Sequence, residues 1–276
     1  MAAAAPTLSR RHAAGAPSAR GLLFTLLGEF VLTGDGTAWT SAVLGVFTRL
    51  GIEEKATRQA LMRTAGAGWL EAEKIGRRTR WRLTANARRL LTDGAERIYS
   101  FTGPAGDWDG RWLLVSVRIP DSDRRARHVV RSRLSWAGFG SLGAGLWISP
   151  HPDREAEAAG VLHEAGVAQD AHVFVATRSG LGDVRGMVAA AWDLAAIEEQ
   201  YEQFIEDFGE PAPDDTLVRQ IELVHAWRRF PSIDPALPGD LLPARWSGRE
   251  AARLFADRHA RWTTAARREW TRLNTL

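Results

Sequence analysis

Basic side chains that can bind phosphate groups are concentrated in one segment of the chain. Eleven arginines and lysines lie between residues 49 and 89, against four glutamates, so this window has a net charge of +7. Residues 90–276 hold 22 basic and 27 acidic residues, a net charge of −5. A basic segment joined to a mildly acidic remainder is typical of a nucleic-acid-binding module with a second function attached. A solvated basic surface is the simpler alternative, and composition alone leaves it open.

Three predicted helices come before or within this basic segment. Leucines at three- and four-residue spacing predict a first helix over residues 19–32. A second helix is predicted to begin at Thr37 or Trp39 and to end at Gly51, and a third covers residues 53–65. Because residues three and four apart share a helix face, the third helix has a mainly polar stripe, opposite its inward face, that consists of Lys55, Arg58, Gln59, Met62 and Arg63.

A basic hairpin is predicted after the third helix. Residues 69–84 alternate in the manner of two strands, with Gly76 at the tip and with Arg77, Arg78 and Arg80 beside it. This order is that of a winged helix–turn–helix domain, in which the third helix enters the major groove and the wing holds phosphates. Each arginine taken singly is equally consistent with an ordinary surface residue. The predicted DNA-binding residues are Lys55, Arg58, Gln59, Met62, Arg63, Arg77, Arg78 and Arg80.

The middle of the chain has the element order β-α-β-β-α-β. The predicted elements are a strand over 112–119, a basic helix over 124–136, strands over 139–142 and 146–149, a helix capped by Asp153, and a strand over 172–177. This order is the ferredoxin-like pattern, which hosts many unrelated functions. Asp121 and Asp123 precede the arginines of the basic helix, so we expect salt bridges at its start rather than a second nucleic-acid surface.

The last part of the chain is predicted to be helical. The expected elements are a helix over 188–208, a helix from Asp214 to Trp227, a proline-rich loop over 227–238 and a final helix over 249–273. The fold class is therefore α+β, with an N-terminal winged helix–turn–helix, a central ferredoxin-like domain and a C-terminal helical domain. The corresponding limits are a disordered leader at 1–18, then domains at 19–100, 108–178 and 186–276.

Residues typical of catalytic or metal centres are not found in a recognisable pattern. Cysteine is absent, which excludes thiol catalysis and disulfides and fits a cytoplasmic protein. The seven histidines lie apart without metal-ligand spacing, and there is no G-x-S-x-G motif. No apolar run reaches the roughly 18 residues of a membrane-spanning helix. We therefore expect a protein that is not an enzyme and that has no cofactor, metal or membrane partner.

Three stretches of the chain resemble the phenylacetic-acid catabolism repressor (PaaX) family. They are Thr57–Arg63 with Trp69 and Trp81–Thr84, Arg111–Pro120 with Gly145–Pro150, and Trp192–Leu194 with Tyr201, Trp227–Pro231 and Asp234–Pro243. The resemblance covers roughly residues 18–262. It implies a homodimeric repressor that binds a double-stranded operator and is released by an aryl- or acyl-CoA effector such as phenylacetyl-CoA. Met62 and Thr64 depart from the residues usual in the family, so the base preference is expected to differ.

The resemblance also implies an effector pocket within residues 100–276. Aromatic rings suit the acyl group and arginines suit the phosphates of such a ligand. The candidate effector-binding residues are Trp192, Tyr201, Trp227, Arg228 and Arg229. An aromatic core with a structural contact from an arginine to Asp234 explains the same residues equally well.

Two other functions remain as alternatives. Ferredoxin-like nucleases bind a metal ion through an aspartate late in the first strand of the domain. Here the first carboxylate, Asp121, comes only after Pro120, which disfavours a metal-dependent nuclease. A DNA-binding interaction protein without any effector is the second alternative.

Overall fold

The computed structural model describes residues 18–103, 108–210 and 214–275. The predicted leader therefore lies outside the described residues, apart from Ser18, whose side chain accepts a hydrogen bond from the Gly21 N–H (3.0 Å) at the start of the first helix. None of the helices in the described ranges combines the length and the apolar character needed to cross a lipid bilayer.

Helices and strands alternate along the N-terminal and middle parts of the chain, and the C-terminal part is helical. The N-terminal elements are α1 (Ala19–Leu26, continued by a π-helical turn at Leu27–Val31), β1 (Thr37–Trp39), α2 (Thr40–Arg49), α3 (Glu54–Gly66), β2 (Leu70–Ile75), β3 (Arg78–Leu83) and α4 (Ala85–Ser100). The middle elements are β4 (Arg111–Val117), α5 (Arg124–Trp136), β5 (Gly140–Gly143), β6 (Leu146–Ser149), α6 (Glu155–Ala165) and β7 (Ala171–Thr177). The C-terminal elements are α7 (Val184–Ala191), α8 (Leu194–Gly209), α9 (Thr216–Trp227), α10 (Phe230–Ile233) and α11 (Gly248–Thr275). The fold is therefore of mixed α and β composition, with antiparallel sheets, as the α+β prediction requires.

The described residues belong to two compact units. Of the described residues, the first unit draws on 18–100, 210, 214–227 and 255–275, and the second on 101–103, 108–209 and 228–254. The two units divide the C-terminal helices between them, whereas the sequence analysis placed residues 186–276 in one domain. The predicted domain limits stay a prediction.

The first unit contains a three-stranded antiparallel sheet. Its strand order is β1–β3–β2, with Trp39 opposite Arg80 and Ile75 opposite Arg78. Gly76 has φ +61° at the tip between β2 and β3, a backbone conformation that favours glycine and matches the twist of a two-residue hairpin. The helices enclose one apolar core, whose buried members include Leu23 and Phe47.

The second unit contains a four-stranded antiparallel sheet with order β5–β6–β4–β7. Alternate residues of β4 point to opposite faces, as strand geometry requires. Leu113 and Val115 pack in a cluster with residues of α5 and α6. Trp112 packs in a second cluster, together with Val188 of α7 and Leu237. Both faces of the sheet are therefore covered at β4.

The structure corrects the predicted start of the second helix. Thr37 and Trp39 belong to β1, and α2 begins only at Thr40. The Asp35 carboxylate accepts hydrogen bonds from the Thr37 N–H (2.9 Å) and hydroxyl (2.8 Å), and this turn directs the chain into an extended segment. A strand of three residues is too short to show a periodic pattern in the sequence. It forms through its pairing with β3.

The predicted helix over 188–208 is also wrong, because two helices occupy this region. Trp192 has extended dihedral angles (φ −136°, ψ 139°), and its indole N–H donates to the Gly138 carbonyl (3.2 Å). The Asp193 carboxylate then accepts from the Ala196 N–H (3.1 Å), so it caps the start of α8. The packing of one tryptophan and one local cap thus interrupt an otherwise helical pattern.

Two predicted helix caps are at other residues or are absent. Asp215, rather than Asp214, accepts a hydrogen bond from the Val218 N–H (3.1 Å) at the start of α9. Asp153 lies in a 3-10 turn, Pro152–Arg154, and α6 begins without a side-chain cap. Such errors of a residue or two arise because neighbouring acids look alike in sequence.

Candidate nucleic-acid interface

Helix α3 has one buried face and one exposed face. Thr57, Ala60, Leu61 and Thr64 are buried in the first unit. The exposed face contains the five residues that the sequence predicted for it, which are Lys55, Arg58, Gln59, Met62 and Arg63. Met62 is 63% exposed, so this apolar side chain is outside the core and accessible to a partner.

The cations of α3 are weakly held within the protein. The Arg58 guanidinium lies 2.7 Å from the Glu54 carboxylate one helical turn earlier, and both side chains are more than half exposed. An exposed pair of this kind contributes at most about 1 kcal/mol. Lys55 and Arg63 form no ion pair within the described ranges. This face can therefore exchange its solvent and its one weak pair for phosphates or base edges at small cost.

Glu73 holds the arginines at the base of the hairpin. Its carboxylate accepts hydrogen bonds from Arg80 (2.8 and 3.1 Å) and from Arg82 (3.1 Å). These hydrogen bonds hold the pKa of Glu73 below its ordinary value, and those from Arg80 have the largest effect. Arg80 was predicted from the sequence as a site residue, whereas Glu73 was not. The hairpin register brings the two side chains together, because Glu73 lies directly opposite Arg80.

Trp39 of β1 supports the arginines nearer the tip. The Arg78 guanidinium lies 4.1 Å from the centre of a Trp39 ring, and that of Arg80 lies 5.7 Å from it. Such cation–π contacts orient a guanidinium without neutralising its charge. Arg77 at the tip is exposed and has no ion-pair partner in the part of the chain that the structure describes.

The hairpin is fixed to the start of α2 by a buried polar contact. The Trp81 indole N–H donates to the Thr40 hydroxyl (2.9 Å), which in turn donates to the Thr79 carbonyl (3.0 Å). The surface thus consists of the exposed face of α3 and an arginine-bearing hairpin within one compact unit. Its charge and shape suit a polyanion such as nucleic acid.

Comparison with known proteins identifies the family. Family models match the chain at residues 18–87 (PaaX-like protein), 105–188 (PaaX protein central Cas2-like domain) and 192–272 (PaaX-like protein C-terminal domain). The chain is 33% identical, over 93% of its length, to Transcriptional repressor PaaX of Escherichia coli strain K12, of which it covers 84%. The chain belongs to the PaaX family.

A solved structure supports the fold of this family member. Uncharacterized protein Rv0674 from Mycobacterium tuberculosis superposes with a TM-score of 0.61 at 24% identity, covering 92% of this chain and 99% of that one. The resemblance to the PaaX family read from the sequence is thus confirmed. The expectation of a regulator rather than an enzyme agrees with the name of the E. coli relative.

The aromatic residues predicted to bind an effector lie in packed surroundings. In the second unit, the Tyr201 hydroxyl donates to the Asp234 carboxylate (2.6 Å), and its ring stacks 4.1 Å from Phe230. Trp192 is buried in the cluster beside β4. Trp227 belongs to the first unit, where its ring stacks 4.7 Å from Phe255. These contacts are those of an aromatic core, the alternative that the sequence left open.

The two arginines of the predicted effector set differ in their surroundings. Arg228 is half-buried, and loss of hydration lowers the pKa of its guanidinium. Arg229 is exposed, and its guanidinium lies 5.3 Å from the Phe230 ring centre. Asp234, for which an arginine contact was the alternative, accepts a hydrogen bond from the Tyr201 hydroxyl, while burial raises the pKa of its carboxyl group. The assignment of an effector site to these residues stays a prediction.

The basic helix α5 is only partly neutralised. Arg127 pairs with Asp121 (2.7 Å), and Asp123 caps the helix through the Ala126 N–H (2.8 Å). Arg124 and Arg125 are exposed and have no ion pair within the described ranges. The expected salt-bridged helix start therefore applies to one arginine and not to its neighbours.

A buried polar cluster in the first unit escaped the sequence analysis. The Glu29 carboxylate accepts hydrogen bonds from Tyr99, from the Gln220 amide (3.0 Å) and from His259 Nε2 (2.9 Å). Burial raises the pKa of Glu29, but these hydrogen bonds outweigh it, so that the pKa lies below its ordinary value. The cluster joins the π-helical turn to α4, α9 and α11, and its signal in sequence was a lone acid among leucines. In the described ranges, no three metal-ligating side chains are grouped in a way that could hold an ion.

Proposed function

We propose that this PaaX family member is a repressor of phenylacetic-acid catabolism that binds duplex DNA through α3 and the β2–β3 hairpin. The observation that carries the proposal is the exposed face of α3, with Gln59 and Arg63 at a spacing that suits adjacent base edges. The name of the E. coli relative, a transcriptional repressor, supports it. Because DNA is its ligand, we also propose a cytoplasmic location.

The proposal includes a winged helix followed by a ferredoxin-like domain. The order α1–β1–α2–α3–β2–β3 and the three-stranded sheet agree with a winged helix and support α3 as its recognition helix. The sheet order β5–β6–β4–β7 is the order in which a β-α-β-β-α-β chain forms a ferredoxin-like sheet. The Cas2-like description of the matching family model is a further support.

The direct test is selection of DNA sequences by the purified full chain. Random duplexes of about 20 base pairs are enriched over several rounds, and the selected sequence is bound again by Gln59→Ala and Arg63→Ala. Loss of a bidentate contact to a base costs about 1–3 kcal/mol and relaxes the preference at that base. Absence of any enriched sequence, or unchanged preferences in both variants, would contradict the proposal.

We further propose that the protein acts as a homodimer, with β7 as the surface that meets the second copy. β7 is at the edge of its sheet, and Phe174 (56%) and Val175 (48%) are exposed on it. Residues 171–177 contain neither an acid nor a lysine, arginine or proline, the residues that usually protect an open edge. Because Phe174 is the central residue of β7, two antiparallel copies would pair it with itself across a twofold axis without bringing like charges together.

We propose an aryl-CoA thioester as the effector that releases DNA. The support is the family membership, since a ligand changes DNA affinity only if it binds the free and DNA-bound states unequally. The test is titration of the complex between the protein and its selected duplex with phenylacetyl-CoA, with free CoA as the control. Release by the thioester and not by CoA is expected. If the DNA affinity is the same at all concentrations of the thioester, the proposed effector is wrong, but the proposed repressor function is not contradicted.

A further inference from the structure

The outer edge of β1 is occupied by a side chain from the end of the chain. β1 pairs with β3 on one side only, since the sheet order is β1–β3–β2. On its other side, the Trp39 N–H donates to Asn274 Oδ1 (2.8 Å), and Asn274 Nδ2 donates to the Thr37 carbonyl (3.1 Å). A carboxamide has the same donor and acceptor as a peptide group. Asn274 therefore satisfies the edge of β1 in the way that a neighbouring strand would.

The end of α11 that carries Asn274 is itself firmly held within the first unit. Trp270, one turn earlier, is buried with its ring 6.1 Å from that of Phe30. Arg49 of α2 binds Asp215 and also the Glu269 carboxylate of α11 (3.1 Å). The Asn274 carboxamide thus presents its two hydrogen bonds to β1 from a fixed position.

Trp39 connects this edge to the proposed DNA-binding surface. Its backbone N–H is bound by Asn274, and its indole ring lies under the guanidinium groups of Arg78 (4.1 Å) and Arg80 (5.7 Å). Trp39 is half-buried, whereas Arg78 is exposed beside the hairpin tip. A shift of β1 would therefore move the platform on which these two arginines rest.

We propose that Asn274 is a positioning residue for DNA binding, which holds β1 so that Trp39 keeps Arg78 in place for phosphate contacts, whereas Arg80 is also held by Glu73 (2.8 Å). This inference rests on the proposed function. Ordering a long side chain on binding is costly, and a preformed arrangement avoids that cost. For one arginine, loss of the clamp is expected to weaken DNA binding roughly threefold to tenfold.

The test measures binding of the full chain to a fluorescein-labelled 30-base-pair duplex of random sequence by anisotropy. Asn274→Ala is expected to weaken binding roughly threefold to tenfold. Thr271→Ala is the matched control, because its hydroxyl donates to the Arg267 carbonyl of the same helix (2.9 Å), and it is expected to bind as the parent does. In an Arg78→Ala background, Asn274→Ala should cause at most a small further loss. A general structural defect would instead weaken both backgrounds by the same factor.

The outcomes separate this inference from the proposed function. If Arg77→Ala and Arg78→Ala both bind as the parent does, the hairpin is not the DNA surface and the proposed function fails. If Arg78→Ala weakens binding while Asn274→Ala does not, or if their effects multiply, the positioning role is wrong. Should Asn274→Ala lower the melting temperature so far that binding cannot be compared, Trp39→Leu replaces it. This variant keeps the backbone clamp, and its loss of affinity must likewise disappear in the Arg78→Ala background.

Discussion

Arg77 offers the cleanest perturbation of the proposed DNA-binding surface. Its side chain is exposed at the tip of the β2–β3 hairpin, and no ion pair in the described ranges involves it. Replacement by alanine therefore breaks no salt bridge inside the protein. Replacement of Arg80, by contrast, would also release Glu73 from its partner (2.8 Å). A change in DNA binding by Arg77→Ala can thus be attributed to the lost contact with DNA.

The magnitude follows from counterion release. Each phosphate contact adds about 0.9 to the negative slope of log affinity against log salt concentration. Between 50 and 200 mM salt, a fourfold range, one contact therefore changes affinity by a factor of about 3.5. Arg77→Ala should lower the slope by about 0.9, so that its defect is about 3.5 times larger at 50 mM than at 200 mM.

The assay is fluorescence anisotropy of the full chain on one 30-base-pair duplex at four salt concentrations. Arg185→Ala is the control, because Arg185 is an exposed arginine of the second unit and its loss changes the net charge equally. The control should keep the parental slope. An unchanged slope in Arg77→Ala refutes a phosphate contact at the hairpin tip. An equal change in both variants would assign the effect to net charge and refute the proposed surface.

Three further predictions concern Glu29, Glu73 and Phe174. Glu29→Leu removes the acceptor of three hydrogen bonds and should lower the free energy of unfolding at pH 7 by about 3 kcal/mol, measured by urea denaturation. Because the pKa of Glu29 is lowered in the fold, this stabilisation is present above its unfolded pKa and is lost as pH falls through the folded pKa, so the difference between parent and variant should shrink in acid. Glu73→Gln frees Arg80 and Arg82 and removes a negative charge from the surface, so DNA binding should become roughly twofold to fivefold tighter; weaker binding would argue against this surface. In this cysteine-free chain, Phe174→Cys should form a disulfide-linked dimer on mild oxidation while Ile75→Cys does not; a dimer in neither or in both would contradict pairing through β7.

The exposed face of α3 could be predicted from sequence because helical periodicity fixes which residues share a face. The five polar-stripe residues are all exposed, and Thr57, Ala60 and Leu61 are buried behind them. The hairpin could be predicted equally well, since alternation and Gly76 define its strands and its tip. Both signals are local, and they are decided within about a dozen residues.

The supports of this surface could not be predicted, because they depend on pairings between distant residues. Trp39 joins the sheet through β3, some forty residues later in the chain, and Asn274 contacts Trp39 from the far end of it. Trp192 looked like part of one long helix because nothing near it in sequence reveals its hydrogen bond to Gly138. Only the tertiary structure decides such contacts, and local propensity has no information about them.

Helix α9 and most of α11 belong to the same compact unit as α3 and the β2–β3 hairpin. The buried core around α1–α3 includes Leu217 and Ile221 of α9 and Ala266 and Trp270 of α11. The Glu29 cluster and the Asn274 clamp add polar contacts from α11 to the same elements. Residues 255–275 of α11 belong to the first unit, and its end contacts β1 through Asn274. A substitution in α11 that alters DNA affinity therefore needs no contact with DNA, and displacement of β1 is the first explanation to test.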